Sequence, residues 1–483
     1  MSASFYFYDL ETTGISPRSA RIMQFAGQRT DMDLNPIGEP TNILIKLTPD
    51  VVPEPDAIFI THITPQKTID EGVSEVEFLQ HFYASIVQPD TIFVGFNNVR
   101  FDDEFMRFLL YRNFYDPYEW EWANGCSRWD ILDVIRMARA LRPEGINWPV
   151  GANGKPTNRL ELMTKLNKLD HYSAHDALSD VLATIAVAKL LKDKQPELYG
   201  YLLNVRDKKS VSELIMSGKP IVYTSGHYSS DHLHTSAAVL LAEHPQSGAA
   251  LMYDLRTDPT PFLSMSVDEL KLAWQYSRDP NVTHLPVKTV KFNRCPAVAP
   301  LGVVKDDAAQ ERINLRLGTI SKHLAIFEKH KAEFAKKLLD IVSQLDVDQA
   351  HKQIVEGGNP ETVDARLYEN FISSADKPVM SSIRTSAPED LASYAKKLHD
   401  ERLKLILPLY KARNYPSDLD SEERSVWDAF CKTQLFDGAD QSRLAKYFAR
   451  LQELASGKLT SEQEFLLEEM QLYGQSVIPA ELN

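Results

Sequence analysis

The alternation of apolar and polar positions divides the chain into three textures. "FYFYDLETTG" (Phe5–Gly14) opens with an aromatic run and predicts a core strand. "RIMQFAGQRT" and "TNILIKLTP" alternate more loosely, as half-buried neighbouring strands do. Pro49, Pro53 and Pro55 then break the pattern into a predicted loop. "SEVEFLQHFYASIV" carries apolar residues at helical spacing. "TIFVGFN" is short and almost wholly apolar, the mark of a strand buried on both faces. Helices are predicted in "FDDEFMRFLLYRNF", "WDILDVIRMARALRP", "LELMTKLNKL" and "SAHDALSDVLATIAVAKLLKD". In the last of these, Ser173 and Asp176 form a capping-box-like S-x-x-D. After about Pro196 come short strand-like runs split by Gly, Pro, His and Ser, as in a small β-barrel or strongly bent sheet. From about Ala308 the chain turns helical. "GGNPET" reads as a linker, and the remainder is rich in helix formers. The predicted layout is an α/β domain at 1–196, a small β domain with a helical extension at 197–352, and a helical domain at 358–483.

Composition changes this picture little. A chain of 483 residues exceeds one ordinary core, which supports several domains. Hydrophobic content of 43% and charged content of 25% are ordinary for a globular protein. No apolar run is long enough to span a bilayer, no signal peptide is visible, and Cys126, Cys295 and Cys431 are too dispersed for a zinc knuckle or a disulfide framework. A cytoplasmic monomer with no membrane partner is expected. Net charge of −14 argues against a broad nucleic-acid surface but leaves room for a narrow basic channel.

Candidate chemistry begins with Asp9 and Glu11. Strand periodicity puts them on one face, about 7 Å apart. Two carboxylates at the end of a buried strand repel each other, and a divalent cation reverses the sign. D-x-E is common in so acidic a chain and recurs at Asp102/Glu104 and Asp420/Glu422. The Thr12-Thr13-Gly14 turn that follows Glu11 distinguishes the first copy. Asp102 and Asp103 begin a helix just after a buried strand, where a helix-start acid is also favoured by the dipole. In "YSAHDALSD", His175 titrates near neutral pH and can act as a base, and Asp180 lies five residues on.

The ordered set "DLETTG", "NNVRFDDEF" and "AHDALSD" resembles the motifs of the DnaQ-like 3′→5′ exonucleases that use four acids and one histidine. With "YRNFYDPY" and "CSRWDILDVIRMARALRPEGINWP", the whole chain resembles the bacterial exonuclease I family, densely to about residue 200 and more loosely beyond. The resemblance implies an α/β, ribonuclease H-like exonuclease domain with a mixed sheet, an SH3-like β-barrel domain and a C-terminal helical domain. It implies that Asp9, Glu11, Asp102 and Asp180 bind two Mg²⁺ ions, with Mn²⁺ a substitute, and that His175 deprotonates the attacking water. Thr12 and Thr13 would lie near the terminal nucleotide. Tyr172 and Asp176 also satisfy the Y-x(3)-D spacing of a tyrosine variant, but "AHDALSD" matches the histidine variant more fully. His62 in "THIT" stands where this family has glycine.

The implied substrate is single-stranded DNA, digested from its 3′ end in DNA repair and recombination. The implied partner is the acidic C-terminal tail of single-stranded-DNA-binding protein. DNA contacts are expected among Arg107, Tyr111 and Arg112 on the helix after Asp102, and among Lys288, Lys291, Arg294, Arg312 and Arg316, with Phe292 among them as a stacking candidate for which a core position is the stronger expectation. Two other readings compete: an RNA 3′-end exonuclease, and a catalytically dead scaffold that binds nucleic acid.

Overall fold

The computed structural model describes residues 3–170, 176–245, 248–275, 284–304, 306–355 and 362–478, with side chains from 346 to 355 left aside. The chain forms two compact units. One comprises residues 1–127, 172–182 and 361–483, and the other 128–171 and 183–360.

In the first unit, strands β1 (Ser4–Thr12), β2 (Ile22–Thr30), β3 (Thr41–Leu44) and β4 (Thr91–Gly95) lie in the order β3-β2-β1-β4. β1 runs antiparallel to β2 and parallel to β4, so the sheet is mixed. All five residues of β4 are buried, as its continuous apolar run requires. On one face of β1, Tyr6, Tyr8 and Leu10 pack with Phe25, Phe78, Phe82, Phe93 and Trp120. The helix Asp102–Arg112 adds Phe105, Met106, Leu109 and Leu110 to the same cluster. The predicted loop after Pro49 is partly helical. Pro55 and Pro65 each open a short helix, Pro55–Thr61 and Pro65–Glu71. Proline's fixed φ suits the first helical position, where its missing N–H is not needed.

The C-terminal helices complete this unit. Phe108, Tyr111 and Phe114 pack against Leu367, Met380, Ile383, Leu403, Ile406 and Tyr410. Met23, Ile58 and Ile63 pack against Leu444, Tyr447, Leu451 and Met470. Between the two clusters' elements runs a buried ion network. Asp364 accepts from Arg21 Nη2 at 2.8 Å and from Arg413 Nη2 at 2.6 Å, while Arg413 Nη2 also reaches Asp50 at 2.8 Å. Burial alone would raise the Asp50 and Asp364 pKa values, but Arg413 and Arg21 hold both below the usual carboxylate range.

The second unit contains a five-stranded antiparallel sheet. Its order is Ala297–Pro300, Ile221–Thr224, Thr235–Glu243, Ala249–Asp254, Val287–Lys291. The two edge strands are consecutive in sequence, joined only by residues 292–296. In a flat sheet their edges would stand about 19 Å apart, four strand spacings. The connection is not extended, since Arg294 N–H donates to Lys291 O and Cys295 adopts φ 46°. The sheet must therefore curl, as the strand-like texture predicts. Val222 and Ala237 are buried on it, and Tyr223, Ala250, Met252, Val290, Phe292 and Val298 form its core cluster. Phe292 is a core residue, as expected. No described helix is long and apolar enough to cross a membrane.

Removing one member of the ion network leaves buried charge uncompensated. Asp364→Ala should cost about 3–5 kcal/mol in urea unfolding at neutral pH. Because the folded pKa values of Asp50 and Asp364 are depressed, their stabilisation is complete above the unfolded carboxylate range and is lost as pH falls below it. Asp364→Asn should accordingly flatten the acid limb of a Tm-against-pH curve.

Candidate active site

Strand β1 outruns its parallel neighbour. The last shared pair is Phe7 with Val94, and β4 ends at Gly95. Beyond it, Leu10 N–H has no strand to meet on that side. Asp102 takes the place of one: its Oδ1 accepts from Leu10 N at 3.1 Å. The tight turn from Gly95 to Asp102 makes this possible. A Cβ on Gly95 would lie 2.6 Å from Asn98 Cβ and 3.0 Å from Tyr8 O, so only glycine lets the turn close. A second link lies behind the first, where the Tyr8 hydroxyl donates to Asp103 Oδ1.

Asp9 and Glu11 share the face of β1 opposite Tyr8 and Leu10. The β1–β2 register shifts between Glu11 and Thr12, a bulge at the carboxylate end of the strand. The turn beyond is closed by its own hydroxyls. Thr12 Oγ1 donates to Gly14 O, and Thr13 Oγ1 accepts from Arg21 N, both at 2.8 Å. Thr12 and Thr13 are both buried. Asp180 lies in the first turn of the helix Ala177–Lys194. Carboxylate oxygens of Asp9, Glu11 and Asp180 all lie within 4.8 Å of one another. At that separation each pair of charges would repel by at least about 3 kcal/mol at an effective dielectric near 20.

The pKa values register this crowding. Burial, then Asp102, Asp180 and Asp176, raise Asp9 well above its ordinary value. Burial, then Asp9, Asp180 and Asp176, push Glu11 up to about 9. Asp102 is raised by burial and by Asp103, against the bond from Leu10. Among the described residues the converging donors are carboxylate oxygens, and a hard divalent ion such as Mg²⁺ or Mn²⁺ fits them. Asp176 is placed differently: its Oδ2 accepts from Ser179 N at 3.3 Å, a helix-start role. His175, Tyr172 and Ser173 lie outside the described residues.

Gln24 was not foreseen from the sequence. It faces Glu11 across the β1–β2 pair, is buried, and donates from Nε2 to Asn42 Oδ1 at 2.8 Å. The signal was present as a polar residue interrupting the apolar "IM-FA" of β2.

Three expected DNA contacts are corrected. Arg107 is 3% exposed and bonded to Glu104 and Glu121, at 2.6 Å and 2.8 Å. Arg112 is 2% exposed and its Nε lies 3.0 Å and 2.9 Å from the two Glu75 oxygens. Tyr111 is fully buried in the cluster shared with the C-terminal helices. On a helix packed on both sides, these side chains are consumed by folding. In the second unit, Lys288 is half-buried with Nζ 6.0 Å from the Tyr228 ring centroid, and Lys291 is exposed at a strand end. Arg312 donates to Ala140 O at 2.9 Å, and the side chain of Arg316 is 61% exposed, 3.9 Å from Glu311. His62 adopts φ 57°, the left-handed conformation that glycine favours, in keeping with the glycine expected there; its Nδ1 is 2.7 Å from Glu462 Oε1.

Three family models match the chain in succession: an exonuclease at 6–188, an exonuclease I SH3-like domain at 206–344 and an exonuclease I C-terminal domain at 361–477. The exodeoxyribonuclease I of Haemophilus influenzae is 38% identical over 480 residues, 98% of each chain. The chain belongs to the exonuclease I family. Members of that family are exodeoxyribonucleases, and this chain is an enzyme of that kind, built from an exonuclease domain, an SH3-like domain and a C-terminal domain. Among solved structures, the zinc-bound form of an Escherichia coli exonuclease I–single-stranded DNA complex superposes with a TM-score of 0.90 at 35% identity, covering 99% of this chain and 100% of that one. An SSB/exonuclease I structure with an inhibitor gives 0.87 at 34% identity, with the same coverage.

The raised pKa of Glu11 fixes the sign of one pH effect. An acid whose folded pKa exceeds its unfolded value stabilises the fold at low pH and loses that contribution as pH rises through the folded value. In EDTA, Tm should fall from about pH 5 toward pH 9, and Glu11→Gln should flatten the slope. Saturating Mn²⁺ should flatten it in the unmodified protein. Gly95→Ala should displace the turn before Asp102 and reduce the rate more than the Tm.

Proposed function

We propose that the chain degrades single-stranded DNA from the 3′ end to 5′-mononucleotides, in DNA repair and recombination. The observation that carries this reading is the convergence of Asp9, Glu11 and Asp180, with Asp102 beside them, where the raised pKa values of Asp9 and Glu11 are driven by burial and by other acids. These four residues would hold two divalent ions, Mg²⁺ with Mn²⁺ as a substitute. When bound, such a pair supplies a nucleophilic water at neutral pH and charge stabilisation at the leaving 3′-oxygen.

The rest is the work of the chain itself. Asp102, fixed by Leu10 N–H, keeps its carboxylate at the end of β1. The bulge at Glu11 and the closed Thr12–Thr13 turn set the floor on which a terminal nucleotide would rest. His175 takes the proton of the attacking water. Lys288, Lys291 and Arg316 remain candidate phosphate contacts. Single-stranded-DNA-binding protein is the proposed protein partner, supported by the SSB/exonuclease I structure of a relative. We assign the domains to 1–196, 197–352 and 358–483, with the protein acting as a cytoplasmic monomer.

Digestion of 5′-labelled DNA and RNA oligonucleotides in parallel tests the substrate. DNA should be shortened from its 3′ end much faster than RNA; the reverse preference would favour the RNA reading. Asp9→Ala removes several kcal/mol of charge stabilisation and should slow DNA digestion by about 10³-fold. Equal rates for the variant and the unmodified protein in Mg²⁺ would leave only the scaffold reading.

A further inference from the structure

Tyr8 immediately precedes Asp9, and Asp103 immediately follows Asp102. The hydrogen bond from the Tyr8 hydroxyl to Asp103 Oδ1 therefore joins the two segments that carry those acids. Asp103 is 0% exposed and Tyr8 2%. The tyrosine ring has no freedom to follow a moving partner. It stacks on Phe25 at 5.8 Å and meets Phe93 and Trp120 edge-on at 6.5 Å and 6.2 Å.

A carboxylate is a costly choice at this position. It is buried beside a group of acids that already repel one another, and it raises the pKa of Asp102 further. An apolar residue would pack under the helix Asp102–Arg112 without that penalty, as Met106 and Leu110 do. What the carboxylate provides is a fixed point. The Leu10 N–H bond orients Asp102 from the front, and the Tyr8 bond pins the next residue from behind. Together they leave the first helical turn one position relative to β1.

We propose that Tyr8 and Asp103 are positioning residues, holding Asp102 in register with Asp9 and Glu11 so that the acids meet a divalent ion without rearrangement. This rests on the metal reading above. Mn²⁺ binding to the full-length protein, measured calorimetrically in the absence of DNA, tests it alongside Tm. Tyr8→Phe keeps the ring and removes the bond, and should raise the Mn²⁺ Kd by about tenfold. Asp103→Leu, of similar volume, should do the same. Asp103→Asn retains an acceptor for the Tyr8 hydroxyl and should stay closer to the unmodified affinity. A lowered Tm with unmodified Mn²⁺ affinity in Tyr8→Phe would overturn the proposal and leave a purely structural bond. Equal weakening by Asp103→Asn and Asp103→Leu would also overturn it, because charge and not the bond would be the cause. Where Tyr8→Phe fails to fold, the comparison of the two Asp103 variants decides. Absence of Mn²⁺ binding in the unmodified protein would instead sink the metal reading itself.

Discussion

The backbone of β1 continues past the end of β4, and a buried N–H group cannot be left without an acceptor. The Leu10 amide is that group. A longer β4 would have satisfied it with a carbonyl, and the site would be an ordinary sheet. Gly95 instead ends the strand, the chain turns tightly through Asn98, and a side-chain carboxylate takes the carbonyl's place. From this follow the position of the helix that begins at Asp102, the contact of Tyr8 with Asp103, and the open side of β1 toward which Asp9 and Glu11 project. The site lies where the parallel neighbour of β1 stops and β1 runs on.

Within the same unit, two sets of carboxylates contrast. Asp50, Asp364 and Glu75 each meet an arginine, and their pKa values are held down against the effect of burial. Asp9, Glu11 and Asp102 meet mainly other acids, and their values are driven up. Burial is the first cause in all six, so it does not separate the groups; the presence of a guanidinium does. In the first group, Asp50 and Asp364 tie Arg413 of the C-terminal helices to Arg21 beside the sheet, and Glu75 holds Arg112. The second shows no arginine counter-charge among the described residues, which is the physical case for a bound cation and the reason the proposed function rests on this cluster.

The aromatic strand, the buried β4 and the helix bearing Asp102 were legible because each is defined by local periodicity. The curled sheet was legible as a spacing of short strands. Asp9, Glu11 and Asp180 could be nominated only as an ordered set of motifs, since any one of them has an innocuous explanation. Arg107 and Arg112 misled because periodicity marks one apolar face of a helix, whereas Asp102–Arg112 is packed on two. Its second face is covered by residues more than 250 positions away, a relation that local pattern does not contain. Gln24 was missed for a similar reason: its position opposite Glu11 depends on how β2 pairs with β1, a relation that local pattern does not contain.

The fate of those arginines also bears on the net charge of −14. Arg21, Arg107, Arg112 and Arg413 are spent on buried pairs with Asp50, Asp364, Glu104, Glu121 and Glu75. Such pairs cancel in the sum but are withdrawn from the surface, so the outward charge is set by what is left. Lys291 and Arg316 belong to that remainder, being exposed, with Arg316 3.9 Å from Glu311. A DNA strand on an acidic protein must rely on few such cations and on whatever charge the acids of the site bind. On the proposed reading, two divalent ions add four positive charges where the scissile phosphate would lie. Affinity for DNA would then depend on divalent metal as well as on salt, because the same carboxylates that repel a bare phosphate backbone become its anchor once their charge is reversed.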